Sequence, residues 1–153
     1  MSDLKKTYLK FIRKQELTGE TFKDKEIQLK KYYIPFCNRL FKQCKSRKKP
    51  LLISLSGGQG SGKSTIAQIL KIVLQLNFNL NVVCFSIDDF YKTSSERKKM
   101  SKYIHPLFLT RGVPGTHDCK MLYRTINALL KKKFNSVKIP KFDKSIDDRF
   151  KAR

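Results

Sequence analysis

At 153 residues and 40% hydrophobic content, the chain suits one folded domain with a real core, and global disorder is excluded. No apolar run reaches the roughly 18 residues a membrane-spanning helix needs. The net charge of +22, from 34 Lys+Arg against 12 Asp+Glu, fits a nucleic-acid or membrane-surface binder, a protein whose ligands are anions, or a Lys-rich coding bias. The lysines run along the whole length, with no dense basic tail and no RNA-binding aromatic motif. That spread favours the second and third readings over nucleic acid.

Residues 1–50 read as an N-terminal helical segment. Leu4, Tyr8, Phe11 and Ile12 recur at helical spacing, and Gly19 breaks the pattern. Thr21, with Asp24 after it, can cap a second helix carrying Ile27, Leu29, Tyr32 and Tyr33 as far as Pro35. Phe36 to Cys44 is amphipathic again, so these helices read as a cap. Met1 to Lys6 holds no apolar signal region, and a cytoplasmic location is expected. The basic linker Ser46 to Pro50 opens onto residues 51–153, the expected core.

That core starts with an apolar run, Leu51-Leu52-Ile53-Ser54-Leu55, read as a strand. Gly57-Gly58-Gln59-Gly60-Ser61-Gly62-Lys63-Ser64 follows and fits G-x-x-x-x-G-K-[ST] at every fixed position. A helical pattern from Thr65 to Leu74 comes next. In a strand–loop–helix unit the glycines let successive backbone N–H groups point inward at phosphate oxygens. The helix N-terminus adds its positive end there. Lys63 supplies a charge for the β- and γ-phosphates, and Ser64 a hydroxyl for Mg²⁺, with Thr65 beside it. ATP and Mg²⁺ are therefore the expected cofactors.

Asn77 to Asn79 makes a turn, and Val82 to Ile87 is a buried-strand pattern. It ends in Asp88-Asp89-Phe90-Tyr91. In an open α/β sheet, ligands gather at the carboxyl ends of strands, which puts this pair on the rim with the glycine loop. One carboxylate there can take a proton from a substrate hydroxyl or help hold the metal. Adjacent residues point different ways, so the other is structural. A cap or turn role for the pair is the alternative.

Ser94 to Tyr103 reads as a charged surface helix or lid, and His105 to Thr116 as a loop. Arg111-Gly112-Val113-Pro114-Gly115-Thr116-His117-Asp118 carries a fork for a carboxylate or phosphate in Arg111, and Asp118 is equally well an N-cap for the helix that follows through Leu130. A short strand, Val137 to Ile139, leads to Lys141, Asp143 and Lys144, which either reach the rim or form a solvated tail. The cysteines, Cys37, Cys44, Cys84 and Cys119, form no C-x-x-C pair and stand apart from His105 and His117, which argues against a zinc site or a disulfide framework. No internal repeat is visible.

Taken in order, Gly57 to Ser64, Ser86 to Tyr91, Arg111 to Asp118 and Pro140 to Ser145 resemble the D-glycerate 3-kinase family, P-loop kinases related to uridine kinase, phosphoribulokinase and bacterial pantothenate kinase. The R-G-x-P-G-T-H-D block is the most specific piece, Tyr32 to Pro35 also resembles that branch, and the likeness covers roughly residues 30–149. The resemblance implies an α/β fold with a P-loop NTPase-type parallel sheet flanked by helices. It implies ATP-dependent phosphorylation of a small hydroxy acid, D-glycerate becoming 3-phosphoglycerate.

By the same resemblance Asp88, Lys63 and Arg111 are catalytic, and Gly57, Gly58, Gln59, Gly60, Ser61, Gly62, Lys63, Ser64 and Thr65 hold the nucleotide. Asp88, Tyr91, Arg111, His117, Asp118, Lys141, Asp143 and Lys144 face the substrate, with Ser64 and Asp89 at the metal. The family continues past the point where this chain stops at Arg153, and in its members a later strand lies between the first two. A C-terminally truncated core is therefore expected, as is a missing C-terminal half as a partner.

Overall fold

The computed structural model describes residues 2–47, 49–131 and 136–150; Lys48 of the basic linker lies outside them. The chain divides into two compact units, Met1–Cys84 and Phe85–Arg153. That line differs from the compositional boundary at residues 50 and 51, because the N-terminal helices pack with the helix after the glycine loop.

In the first unit, helix α1 (Ser2–Glu16) buries Leu4, Tyr8 and Ile12. The four-residue spacing places them on one face. They join Leu29, Cys37 and Leu40 with Ile69, Val73 and Leu74 in one apolar cluster. Each large aliphatic side chain there contributes about 1.5–3 kcal/mol. The Tyr8 hydroxyl donates to the Lys25 carbonyl at 3.1 Å, which satisfies it inside the cluster; burial pushes its pKa up to about 12.

Helix α2 (Lys25–Gln28) begins at Asp24, whose φ is 47°, and not at Thr21. No side chain caps it. Contrary to the expectation from sequence, Pro35 does not stop the chain of turns. A π turn over Leu29–Tyr33 leads straight into α3 (Ile34–Ser46), where Pro35 lies in the first turn. A proline lacks an N–H and crowds the preceding turn. In the first turn of α3 no intrahelical bond is asked of it, and the widened π turn takes up the register change.

Helix α4 (Lys63–Phe78) carries the buried Thr65, Ile69, Val73 and Leu74. Asn79, with φ of 50°, closes it in the left-handed region, and Leu80 N–H returns to the Leu74 carbonyl at 3.1 Å.

The second unit is built from shorter pieces. A 3₁₀ turn spans Ile87–Phe90, α5 spans Ser94–Tyr103, a second 3₁₀ turn spans Pro106–Leu109 and α6 spans Cys119–Leu129. Strands β1 (Phe142–Asp143) and β2 (Asp148–Arg149) form an antiparallel hairpin, Phe142 opposite Arg149 and Asp143 opposite Asp148.

The expected parallel sheet does not form among the described residues. Residues 51–55, 82–87 and 137–139 belong to no ladder there; β1–β2 is the one sheet, and it is local. A strand exists through its neighbour's hydrogen bonds. Without one, Leu52, Ile53, Leu55 and Val83 stand exposed. Among the described residues no helix is long and apolar enough to cross a membrane.

Candidate active site

In the first unit the glycine loop curls. Gly60 and Gly62 have φ of 76° and 74°, left-handed values that disfavour any residue with a Cβ. Gly62 stands at the N-cap of α4, and its carbonyl accepts the Ile66 N–H at 2.9 Å. The Gly58 carbonyl accepts the Ser61 hydroxyl at 2.8 Å. Lys63 folds back over the loop, and its ammonium donates to the Gly57 and Gly58 carbonyls at 2.8 and 2.6 Å. The charge thus sits inside the loop that the first turn of α4 closes. Ser64 is exposed. Thr65, expected beside it at the nucleotide, is buried instead and donates its hydroxyl to Glu20 at 2.9 and 3.2 Å.

Glu20 was not singled out by sequence. It follows the helix-ending Gly19, and nothing local marks it. Its carboxylate meets the first turn of α4, the positive end of the helix dipole.

The second unit gathers most of the remaining candidates. Ser86 and Asp89 form a reciprocal capping box: Ser86 Oγ accepts from the Asp88 N–H at 3.2 Å, and Asp89 Oδ2 accepts from the Ser86 N–H at 3.0 Å. Asp89 is 4% exposed. It also accepts the Lys141 ammonium at 3.1 Å and the Phe142 N–H at 3.4 Å. Both its oxygens are committed to protein donors, so the carboxylate expected at the metal has a structural task. Asp88 points the other way, with its side chain 34% exposed, and pairs with Lys144 at 2.9 Å.

Burial and the nearby Asp88 carboxylate push the Tyr91 phenol pKa up. Its ring stacks on His117, 4.1 Å between centroids. The two segments are paired through Lys92 N–H to the Thr116 carbonyl at 2.8 Å and Asp118 N–H to the Phe90 carbonyl at 2.7 Å. The glycine of the turn before them is constrained: a Cβ on Gly115, φ 93°, would meet the Phe108 ring at 3.0 Å. His117 Nε2 is buried without a hydrogen-bond partner among the described residues. Burial lowers the His117 pKa against the opposing pull of Asp88, and the imidazole is neutral at pH 7.

Asp118 takes the capping role that its position allowed, accepting the Met121 N–H at 2.9 Å. Its other oxygen meets Arg149 at 3.4 Å, and Arg149 also donates to the Tyr91 carbonyl at 2.6 Å. Arg111 pairs with Asp147. Asp143 turns away into its own bend, accepting the Ser145 N–H and hydroxyl at 2.8 and 2.6 Å. The structure thus brings Asp88, Tyr91, His117 and Lys144 together, places Arg111 close enough for its charge to act on the Tyr91 phenol, and leaves Asp143 outside.

A family model described as Zeta toxin matches residues 38–106. The chain is 44% identical over 108 residues to "Uncharacterized kinase mug58" of Schizosaccharomyces pombe, covering 69% of this chain and 39% of that protein. It is 34% identical to "Probable ATP-dependent kinase TDA10" of Saccharomyces cerevisiae, covering 83% and 45%. Among solved structures it is similar to a D-glycerate 3-kinase from Cryptococcus neoformans var. grubii, with a TM-score of 0.63, 26% identity, and coverage of 83% of this chain and 46% of that one. The chain is thus similar, over the part it shares with them, to P-loop kinases.

The chain spans less than half the length of the relatives just named. Its glycine loop, Gly57 to Ser64, lies inside the matched residues 38–106, whereas Arg111 to Asp118 lies beyond them.

Proposed function

We propose that the protein is an ATP-dependent phosphotransferase acting on an alcohol group, with D-glycerate as acceptor and 3-phosphoglycerate as product. The observation that carries this reading is the glycine loop curled against the first turn of α4, with the Lys63 ammonium inside it. The loop fits a nucleotide's phosphates, since Lys63 needs only to trade two neutral carbonyls for anionic oxygens.

A magnesium ion would be held through the exposed Ser64 hydroxyl and phosphate oxygens. No cluster of acidic, His or Cys side chains suited to a metal exists among the described residues. Bound Mg²⁺-ATP supplies the phosphoryl group. Asp88 would take the proton of the acceptor hydroxyl while that oxygen took the γ-phosphoryl group and ADP left. Lys144 holds Asp88 in place, and Arg111 with neutral His117 engages the acid.

The test is ADP release with D-glycerate, uridine, pantothenate and ribulose 5-phosphate offered separately. Turnover with glycerate is expected; turnover with uridine or pantothenate alone would replace the substrate while keeping the reaction class. Lys63→Ala should weaken ATP binding by about tenfold or more, read by calorimetry, and an unchanged affinity would remove the loop's role.

A second reading has its own support. With the parallel sheet unformed among the described residues, the chain is an ATP-binding module without turnover. Bound ATP and no ADP from any acceptor would favour it.

A further inference from the structure

Arg97 lies in α5, a helix whose composition reads as a solvated surface, yet the side chain is 1% exposed. Four of its five guanidinium N–H groups are engaged: Nε donates to the Lys92 carbonyl at 3.2 Å, Nη1 to the Leu109 carbonyl at 2.9 Å, and Nη2 to the Asp147 carbonyl and carboxylate at 2.6 and 2.8 Å. Asp147 stands between β1 and β2 with φ of 53°, a left-handed conformation uncommon outside glycine, asparagine and aspartate. Arg97 holds both its backbone and its side chain.

The other Asp147 oxygen takes Arg111 Nη1. Both guanidiniums lie 5.9 Å from the centroid of the Phe142 ring. Burial would raise the Asp147 pKa, but the hydrogen bonds from the two arginines outweigh it and hold the carboxyl below its ordinary value. Among the described residues Arg111 has no acceptor besides Asp147, so that one carboxylate sets the plane of its fork.

We propose that Arg97 and Asp147 are positioning residues: through the shared Asp147 carboxylate they fix the Arg111 guanidinium so that its remaining N–H groups select an anionic acceptor. This rests on the acceptor role given to Arg111 above. The fork of an arginine recognises a carboxylate bidentately only when its plane is fixed. A guanidinium left to swing keeps its charge and loses that selectivity. Arg97 never touches the acceptor; it acts through Asp147.

The deciding variant is Asp147→Asn, because asparagine tolerates the left-handed conformation and keeps an acceptor for Arg97 while losing the charge that holds Arg111. Calorimetry of the full chain with D-glycerate, and separately with ATP, reads the result. The relay predicts glycerate affinity about tenfold weaker with ATP affinity within about twofold. Equal weakening of both ligands, or glycerate affinity within about twofold of the native chain, overturns it.

Should the native chain bind no glycerate, the substrate reading fails by itself. The relay is then judged by NMR of the arginine side chains. A distinct Arg111 Nε–H signal, slow to exchange in the native chain and lost in Asp147→Asn, upholds it; an Arg111 signal indifferent to the substitution overturns it. If Asp147→Asn does not fold, the native chain decides alone: slow exchange at Arg111 as well as Arg97 supports the relay, and fast exchange at Arg111 ends it.

Discussion

The two units are held together by different physics. The first buries Leu4, Tyr8, Ile12, Leu29, Ile69 and Val73, with Thr65 as its one buried polar residue among the described residues. The second buries Phe90, Tyr91 and Phe142 beside Asp89, Arg97, Thr116 and Thr125. An apolar cluster tolerates small rearrangements, because its attraction is non-directional. A polar interior holds only while every donor keeps its acceptor. The contrast teaches where each unit is fragile: the first to lost volume, the second to a single lost partner.

The sharpest way to break that contrast is Arg97→Met. It removes every hydrogen bond Arg97 makes and strands the Lys92, Leu109 and Asp147 carbonyls. The Asp147 side chain is 44% exposed and keeps Arg111, so the cost comes chiefly from the stranded carbonyls, about 3–4 kcal/mol in all. Denaturant unfolding followed by a probe in residues 85–150 should show the loss, and a change under about 1 kcal/mol would mean that the apolar residues carry this unit.

In the first unit the comparable change is Ile69→Ala. Ile69 is fully buried in α4, and truncation should cost about 2–4 kcal/mol from lost transfer energy and the cavity left behind. Ile69→Val should recover most of it. If instead Thr65→Val proved the more damaging, the division between the units would be wrong.

Helix capping offers a finer cut. Asp118→Ala frees the Met121 N–H and leaves Arg149 Nη2 without its carboxylate. About 1–2 kcal/mol is expected, read by thermal unfolding. Asp118→Asn keeps the cap and should cost less. Equal losses for the two variants would place the effect in the Arg149 contact.

The same contrast explains what could be read in advance. The face Leu4, Tyr8, Ile12 of α1 and the run of α4 after Gly62 announce themselves by periodicity, since an apolar core imposes a period on the sequence. Strands over 51–55 and 82–87 were equally apolar, but strand formation depends on a neighbour that no local pattern supplies. Pro35 misled for a related reason: a π turn is invisible to a search for 3.6-residue spacing.

Arg97 sits in a segment whose charge reads as a surface helix or lid, because charged helices usually face solvent. A signal did exist one turn earlier, where Thr93 and Glu96 form a capping box and fix where α5 begins. Asp88 and Asp89 were legible as a pair pointing apart, but only the capping box at Ser86 decides which faces outward. Asp147 and Glu20 left no trace, because each matters through a partner distant in sequence.

The smallest expected effect concerns pH, and it separates the units cleanly. His117 lies in the second unit, where burial holds its pKa below the ordinary 6.5. Its neutral form is favoured on folding, so the unfolded chain binds the proton more readily between the two values. The sign follows from linkage: this stability is fully present above pH 6.5, and is lost as pH falls through the lower folded value. The second unit should therefore soften on mild acidification, while the first, which contains no histidine, keeps its midpoint. Asp118 and Asp147, both held below 3.8, add a further loss as pH drops beneath that. Unfolding midpoints across pH 5 to 7.5, read separately for each unit, check the upper step. His117→Gln should abolish it, since glutamine fills similar space and carries no proton to gain; a persisting step would assign the titration to another group.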